Sequence, residues 1–229
     1  MTEGSPLGLR YLEALFKAEL PPALILISRT LKLSDMAIST VKERTGGRFV
    51  WKSLEELLVD RPIPAYFVGN HNSKITATLL RNFHVDLAVL GGVGIIKRHV
   101  LAIPKMGIIN VHPGILPKYR GSSAVEWAIY NNDPVGATCH FVTEEIDAGK
   151  IIYKTRIKII KGDKYEDVRL KAYDLQPIVL IRGLRILMRP NYRASLKPNS
   201  TKSYFHPMNQ QILQEVKNML KERIYSHYV

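Results

Sequence analysis

Short apolar runs rich in β-formers alternate along this chain with stretches of helical apolar spacing, and this alternation constrains the fold most strongly. Strands separated by helices pair in parallel, because a parallel neighbour is reached only through a crossover of a dozen or more residues. Residues 23–28, 63–68, 86–90, 108–111 and 135–142 read as strands. Residues 7–18, 73–83, 123–131, about 164–188 and 208–225 carry helical periodicity. The expected fold is α/β, a Rossmann-like, mostly parallel twisted sheet with helices on both faces and a helical C-terminal appendage. The expected division is a main domain over 1–188, then a linker and C-terminal helix over 189–229. The stretch 189–205, with Pro190 and Pro198, reads as extended and mobile. Such a domain ordinarily opens with a strand, a glycine turn and a helix. Gly4-Ser5-Pro6-Leu7-Gly8 resembles that turn, but no apolar run precedes it, so the first strand reads as missing.

With 46% hydrophobic residues among 229, the chain can bury one sizeable core. No apolar run approaches the ~20 residues of a membrane span. The N-terminus lacks the basic and apolar regions of a signal peptide, which places the chain in the cytoplasm by default. A single cysteine, Cys139, excludes an internal disulfide and a multi-cysteine zinc site. Charge is uneven. Residues 1–150 hold 17 Lys and Arg against 14 Asp and Glu, a balance of +3, whereas residues 151–229 hold 16 against 6, a balance of +10. The basic third invites an anionic ligand or a nucleic acid, or it is a solvated surface, since the charges are dispersed.

Chemistry concentrates in two stretches. In residues 107–121, Gly-Ile-Ile-Asn-Val-His-Pro-Gly-Ile-Leu-Pro-Lys-Tyr-Arg-Gly, Asn110 and His112 stand two apart at the end of a strand and share a face. Parallel sheets bind ligands outside that end. A carboxamide beside an imidazole can donate to an oxyanion and pass a proton, although such a pair can equally be structural. In the second stretch, a strand over 137–142 runs into an acidic turn closing on Asp147-Ala148-Gly149. A carboxylate there could orient His112, or the turn could be a solvated loop. His140 and Cys139 alternate on the strand and read as core or supporting residues. Trp127 reads as packing, and Tyr204-Phe205-His206 as docking for the last helix.

The ordered pattern Asn-x-His-Pro, Leu-Pro-x-Tyr-Arg-Gly, Gly-x-Thr-x-His-Phe-Val and Asp-x-Gly-x-Ile-Ile resembles the folate-dependent formyltransferases. This chain supplies it as Asn110, His112 and Pro113, then Leu116, Pro117, Tyr119, Arg120 and Gly121, then Gly136, Thr138 and His140, then Asp147, Gly149, Ile151 and Ile152. The resemblance implies 10-formyltetrahydrofolate as co-substrate, no metal, and a catalytic trio of Asn110, His112 and Asp147. It implies a folate wall at Leu90, Gly91, Gly92, Val93, Gly94 and Ile95, closed by Thr143, Glu144, Ile146 and Gly149. Tyr119, Arg120 and Gly121 are the candidate substrate-binding residues.

The resemblance leaves the acceptor open. Pro6 removes a backbone donor from the turn at which purine-pathway members hold phosphate, which argues against glycinamide ribonucleotide. The expected acceptor is a small amine, such as an amino sugar or sugar nucleotide. Methionyl-tRNA, glycinamide ribonucleotide and a non-catalytic folate-binding role are the alternatives. A homodimer and a tRNA partner stay open, and no membrane partner is expected.

Overall fold

The computed structural model describes residues 1–29, 31–200 and 203–229. In chain order the elements are α1 Pro6–Lys17, β1 Ile25–Ser28, α2 Leu31–Thr45, α3 Leu54–Leu58, β2 Ala65–Val68, α4 Lys74–Asn82, β3 Leu87–Val89, α5 Arg98–Leu101, β4 Gly107–His112, α6 Ala124–Tyr130, β5 Gly136–Phe141, β6 Ile151–Arg156, α7 Tyr165–Leu187 and α8 Gln210–Lys221, with a 3-10 turn at Tyr192–Ser195 between the last two. This is the expected α/β architecture. Among the described residues, no helix is long and apolar enough to cross a membrane. The strands form two sheets, β1-β2 and β3-β4-β5-β6. The chain divides into two compact units, Met1–Glu43 with Val50–Asn110, and Arg44–Phe49 with Val111–Val229.

In the first unit, β1 and β2 pair in parallel from Ile25↔Ala65 to Ser28↔Val68, and β3 pairs in parallel with β4. Helix α1 begins where the sequence requires it to. The Ser5 hydroxyl accepts from the Gly8 N–H at 3.2 Å and Pro6 takes the first helical position, where its missing donor costs nothing. Leu9 and Leu12 bury on Ile25, Ile27 and Leu57. Among the described residues no strand precedes α1, and Thr2 makes an isolated parallel bridge to Ser28.

In the second unit, β5 pairs antiparallel with β6, and the register shifts between Cys139 and His140. Helix α7 packs on both strands, and Gly183 lets it come close: a Cβ there would stand 2.5 Å from Cys139 Sγ. Helix α8, capped by Asn209 Oδ1 at 2.9 Å from the Ile212 N–H, lays Val216 and Leu220 into a core shared with Val125, Ile129 and Val168. Within the stretch 189–205, read from sequence as an extended, mobile linker, Lys197 bridges Ile151 and Phe205 bridges Gly121. Thr201 and Lys202, within that stretch, lie outside the described residues.

Candidate active site

Strand β4 carries Asn110 and His112 on one face, with Asn110 half-buried and His112 only 4% exposed. Among the described residues none hydrogen-bonds the Asn110 carboxamide. The loop after β4 is fixed by Thr138 of β5, whose hydroxyl donates to the Gly114 carbonyl at 2.6 Å and accepts from the Leu116 N–H at 3.1 Å. Lys154 of β6 adds a donor to the Leu116 carbonyl at 2.6 Å. This loop returns the Tyr119 carbonyl to His112 Nε2 at 2.6 Å, so Nε2 carries the proton in that contact. Gly114 makes the approach possible, because a Cβ there would fall 2.6 Å from Nε2 and 2.8 Å from the same carbonyl.

His112 Nδ1 faces Asp147 Oδ2 at 3.2 Å. Asp147 sits in the left-handed region at φ +50, a conformation its short side chain tolerates. Its Oδ2 also accepts the Gly121 N–H at 3.0 Å. On the other side, His140 Nδ1 donates to the Phe141 carbonyl at 2.8 Å, and His140 Nε2 faces Asp147 Oδ1 at 3.5 Å, long for a hydrogen bond. One carboxylate thus stands between two imidazoles, and each ring is held by a backbone carbonyl through its other nitrogen.

The electrostatics follow. Burial pushes the Asp147 carboxyl up, but His140, the charge of His112 and the Gly121 N–H outweigh it and bring it down to about 2. Burial lowers His112 below its ordinary value of 6.5, the Asp147 carboxylate opposes that shift, and His140 adds to it. Near neutrality the pair is a carboxylate beside a neutral imidazole. That imidazole spends its one N–H on the Tyr119 carbonyl and turns its Nδ1 lone pair toward Asp147, so an added proton would bind between them.

Thr138 and His140 point to this side of β5, whereas Cys139 packs against Gly183, so the two residues read together from sequence separate by strand alternation. Tyr119 is buried, stacked on Phe205, and donates its hydroxyl to Asp133. Arg120 is also buried. It donates to Glu145 Oε1 at 2.6 Å and to the Ile146 carbonyl at 2.8 Å, and so holds the acidic turn. The described contacts of Tyr119, Arg120 and Gly121 thus frame His112, Asp147 and the acidic turn. Thr143 donates to the Glu145 carbonyl within the same turn, and Ile146 is exposed. Gly149 is packed so tightly on the end of β5 that a Cβ would stand 1.8 Å from the Phe141 carbonyl. Trp127 donates to the His206 carbonyl and lies against Phe205, in keeping with packing and docking.

In the first unit, the glycine-rich loop from Leu90 to Ile95 owes two of its glycines to packing. Cβ atoms on Gly91 and Gly92 would meet Gly8 Cα at 2.9 Å and Ser5 Oγ at 2.2 Å. Gly94 alone has open space, and with Ile95 it lines a 170 Å³ cleft with Thr2, Ser28, Asn70, His71 and Asn72. Asn72 fixes the loop's far end by donating to the Ile95 carbonyl at 2.8 Å and accepting the Lys97 N–H at 2.6 Å. Asn70, His71 and Asn72 belong to none of the motifs, although three consecutive polar residues just beyond an apolar run are a usable signal. Among the described residues, no group of three His, Cys, Asp or Glu is arranged to hold a metal ion.

Comparison with known proteins identifies this fold and pattern. The chain belongs to the formyl transferase family, whose profile matches residues 66–184, 119 of its 229. Over 169 residues it is 27% identical to the methionyl-tRNA formyltransferase of Clostridioides difficile (strain 630), covering 73% of this chain and 55% of that protein. The chain spans about half the length of such curated relatives. Glycinamide ribonucleotide transformylase 1 from Symbiobacterium toebii superposes with a TM-score of 0.62 at 19% identity, over 87% of this chain and 92% of that one. A sugar N-formyltransferase from Shewanella sp. FDAARGOS_354 gives 0.52 at 18% identity, over 86% of each. At these identities the two structures share the fold.

Proposed function

We propose that the chain transfers a formyl group from 10-formyltetrahydrofolate to the amine of a small acceptor. The observation that carries this reading is the set of Asn110 and His112 on one strand face with Asp147 held against His112 Nδ1. Family membership supports the same chemistry. The acceptor nitrogen attacks the formyl carbon and makes a tetrahedral oxyanion, the bond to folate N10 breaks, and the amine's proton ends on N10. Asn110, whose carboxamide has no partner among the described residues, donates to the oxyanion. His112 adds positive charge beside it and carries the proton at Nδ1, and Asp147 stabilises the imidazolium. The open space at Gly94 and the exposure of Ile95 fit a loop, Leu90 to Ile95, that takes a flat ring. Thr143, Glu144, Ile146 and Gly149 belong to the turn that carries Asp147 in the second unit, and the reading gives them the folate as well. Residues 1–188 then hold the chemistry, with 189–229 supporting it.

Among acceptors, Pro6 at the first position of α1 removes a donor from a phosphate cradle, so the reading favours an amino sugar or sugar nucleotide over glycinamide ribonucleotide. A second reading, methionyl-tRNA, is favoured by the curated relatives that carry that name and by the +10 balance of residues 151–229. The test is incubation with 10-formyltetrahydrofolate and a panel of amino sugars, sugar nucleotides and methionyl-tRNA, following release of tetrahydrofolate. Asn110→Ala is expected to lose roughly 10²–10³-fold in kcat while its circular dichroism stays native. Folded Asn110→Ala with normal turnover, or wild-type protein that formylates nothing in the panel, would overturn the proposal.

A further inference from the structure

The turn that bears Asp147 is held by a residue that no motif contains. Asn199 lies beyond the part of the chain matched by the family, in the segment that follows α7. Its Nδ2 donates both hydrogens into the turn, to the Asp147 carbonyl at 2.7 Å and to the Gly149 carbonyl at 2.9 Å. Two residues earlier, the Lys197 backbone exchanges both hydrogen bonds with Ile151 at 2.9 Å, which fixes where Asn199 meets the turn. Further along, Phe205 brackets Gly121: its N–H donates to the Arg120 carbonyl at 2.8 Å, and its carbonyl accepts the Ser122 N–H at 2.9 Å. Gly121 is the residue whose N–H binds the Asp147 carboxylate. The segment thus grips the Asp147 turn by its backbone and, separately, the backbone donor to Asp147's carboxylate.

We propose that Asn199 is a positioning residue, which fixes the left-handed turn at Asp147 and thereby sets the carboxylate against His112. The inference rests on the formyl-transfer reading for its kinetic consequence and on geometry alone for its structural one. Aspartate tolerates a positive φ, but a turn of this kind is fixed more firmly where its surroundings hold it. A single planar amide bridging the carbonyls on either side of Ala148 is such a hold. Alanine at 199 leaves both carbonyls without their donor. Aspartate puts negative charge against two carbonyl oxygens. Glutamine keeps the donor pair on a longer stem.

The test uses the whole chain and two readouts. In Asn199→Ala and Asn199→Asp, kcat is expected to fall roughly 10- to 100-fold with KM for the folate little changed, since small misplacements of a reacting group cost on that scale. Asn199→Gln should recover part of the loss. The second readout needs no activity: the imidazole 15N resonances of His112 followed through a pH titration. The charged and titratable groups facing His112 are Asp147 and His140, with the Arg120–Glu145 pair on the same turn. As Asp147 moves away, the titration should shift to lower pH. Asn209→Ala, which removes the α8 cap, serves as the structural control: it should lower the thermal midpoint and leave the His112 titration in place. If Asn199→Ala folds with an unmoved His112 titration, Asn199 does not position Asp147. If wild-type protein formylates no amine, the functional reading fails while the titration still decides the role of Asn199.

Discussion

His112 is the residue at which burial and charge oppose each other most directly. Burial favours the neutral ring, Asp147 favours the cation, and burial prevails. In the proposed mechanism the neutral ring is the form that takes the amine's proton, so activity should fall as pH drops through the His112 titration. The acid limb of kcat is therefore expected below 6.5, and Asp147→Asn should move it lower still, because the carboxylate is the influence that raises His112. A pH–rate profile on both proteins checks this; a limb above 6.5 in the wild type would contradict the burial argument. The same ring makes a second expectation at Gly114. With alanine there, the new Cβ lies within 2.6–2.8 Å of His112 Nε2, the Tyr119 carbonyl and Ala124 Cβ. Overpacking of that kind costs about 1–3 kcal/mol. Gly114→Ala should lose turnover out of proportion to its stability, and should lose the downfield Nε2–H signal that the short contact to Tyr119 produces. Normal turnover with that signal retained would show that the carbonyl contact is dispensable.

At the scale of elements, the contact of α7 with β5 supports the site from behind. A glycine inside a helix usually costs about 0.5–1 kcal/mol relative to alanine. At Gly183 the sign should reverse, because an alanine Cβ would stand 2.5 Å from Cys139 Sγ. Gly183→Ala is expected to destabilise by about 1–3 kcal/mol, and Cys139→Ala should be partly compensatory in the double mutant, a coupling that urea denaturation of the four proteins measures. Additive effects would mean that α7 shifts freely on the strand. Much of this layer was legible beforehand. Strands β1, β2, β3 and β5 sit inside the expected runs and β4 overruns its own by one residue at each end, because short runs rich in apolar β-formers are a local signal. Strand β6 was not legible as a strand: Ile-Ile-Tyr-Lys-Thr-Arg turns polar half-way, where its burial gives way to exposed Lys154 and Arg156. Helix α2 was missed because Leu31–Thr45 mixes β-branched and polar residues with little apolar period. Thr2 meets Ser28 in a single bridge, and one bridge leaves no periodicity to read. Strand period and turn chemistry marked Asn110, His112 and Asp147 only as open candidates, and the resemblance joined them into a trio. The aim of His140 at Asp147 and the hold of Asn199 on a carbonyl 52 residues away depend on tertiary contacts that no local pattern encodes.

The whole molecule carries +13, and its second unit places several ionisable groups where folding shifts them in one direction. His112 lies below 6.5, Glu126 below 4.5 beside Arg169 although burial opposes it, and Asp133, Asp147 and Asp167 below 3.8. A group whose folded titration lies below its unfolded one binds fewer protons when folded. Each such group therefore contributes stability that is complete above its ordinary value and lost as pH falls toward its folded one. The losses come in order: His112 first, below 6.5, then Glu126 below 4.5, then the aspartates below 3.8. Asp147, brought down to about 2, accounts for about 2 kcal/mol on its own. Protonating carboxylates also raises a net charge that is already positive, so self-repulsion grows over the same interval. Urea midpoints followed by Trp127 fluorescence in a Trp51→Phe background should begin to fall from pH 8, because burial lowers the Met1 amino group from 8.0 to about 5. The decline should continue below 6.5 and steepen below 4.5. In Asp147→Asn the lowest part of that decline should flatten, because the most depressed carboxyl is gone. A midpoint that rises between pH 6.5 and 5 would mean that His112 gains its proton on folding, which would reverse the assignment of neutral imidazole and ionised carboxylate to the pair.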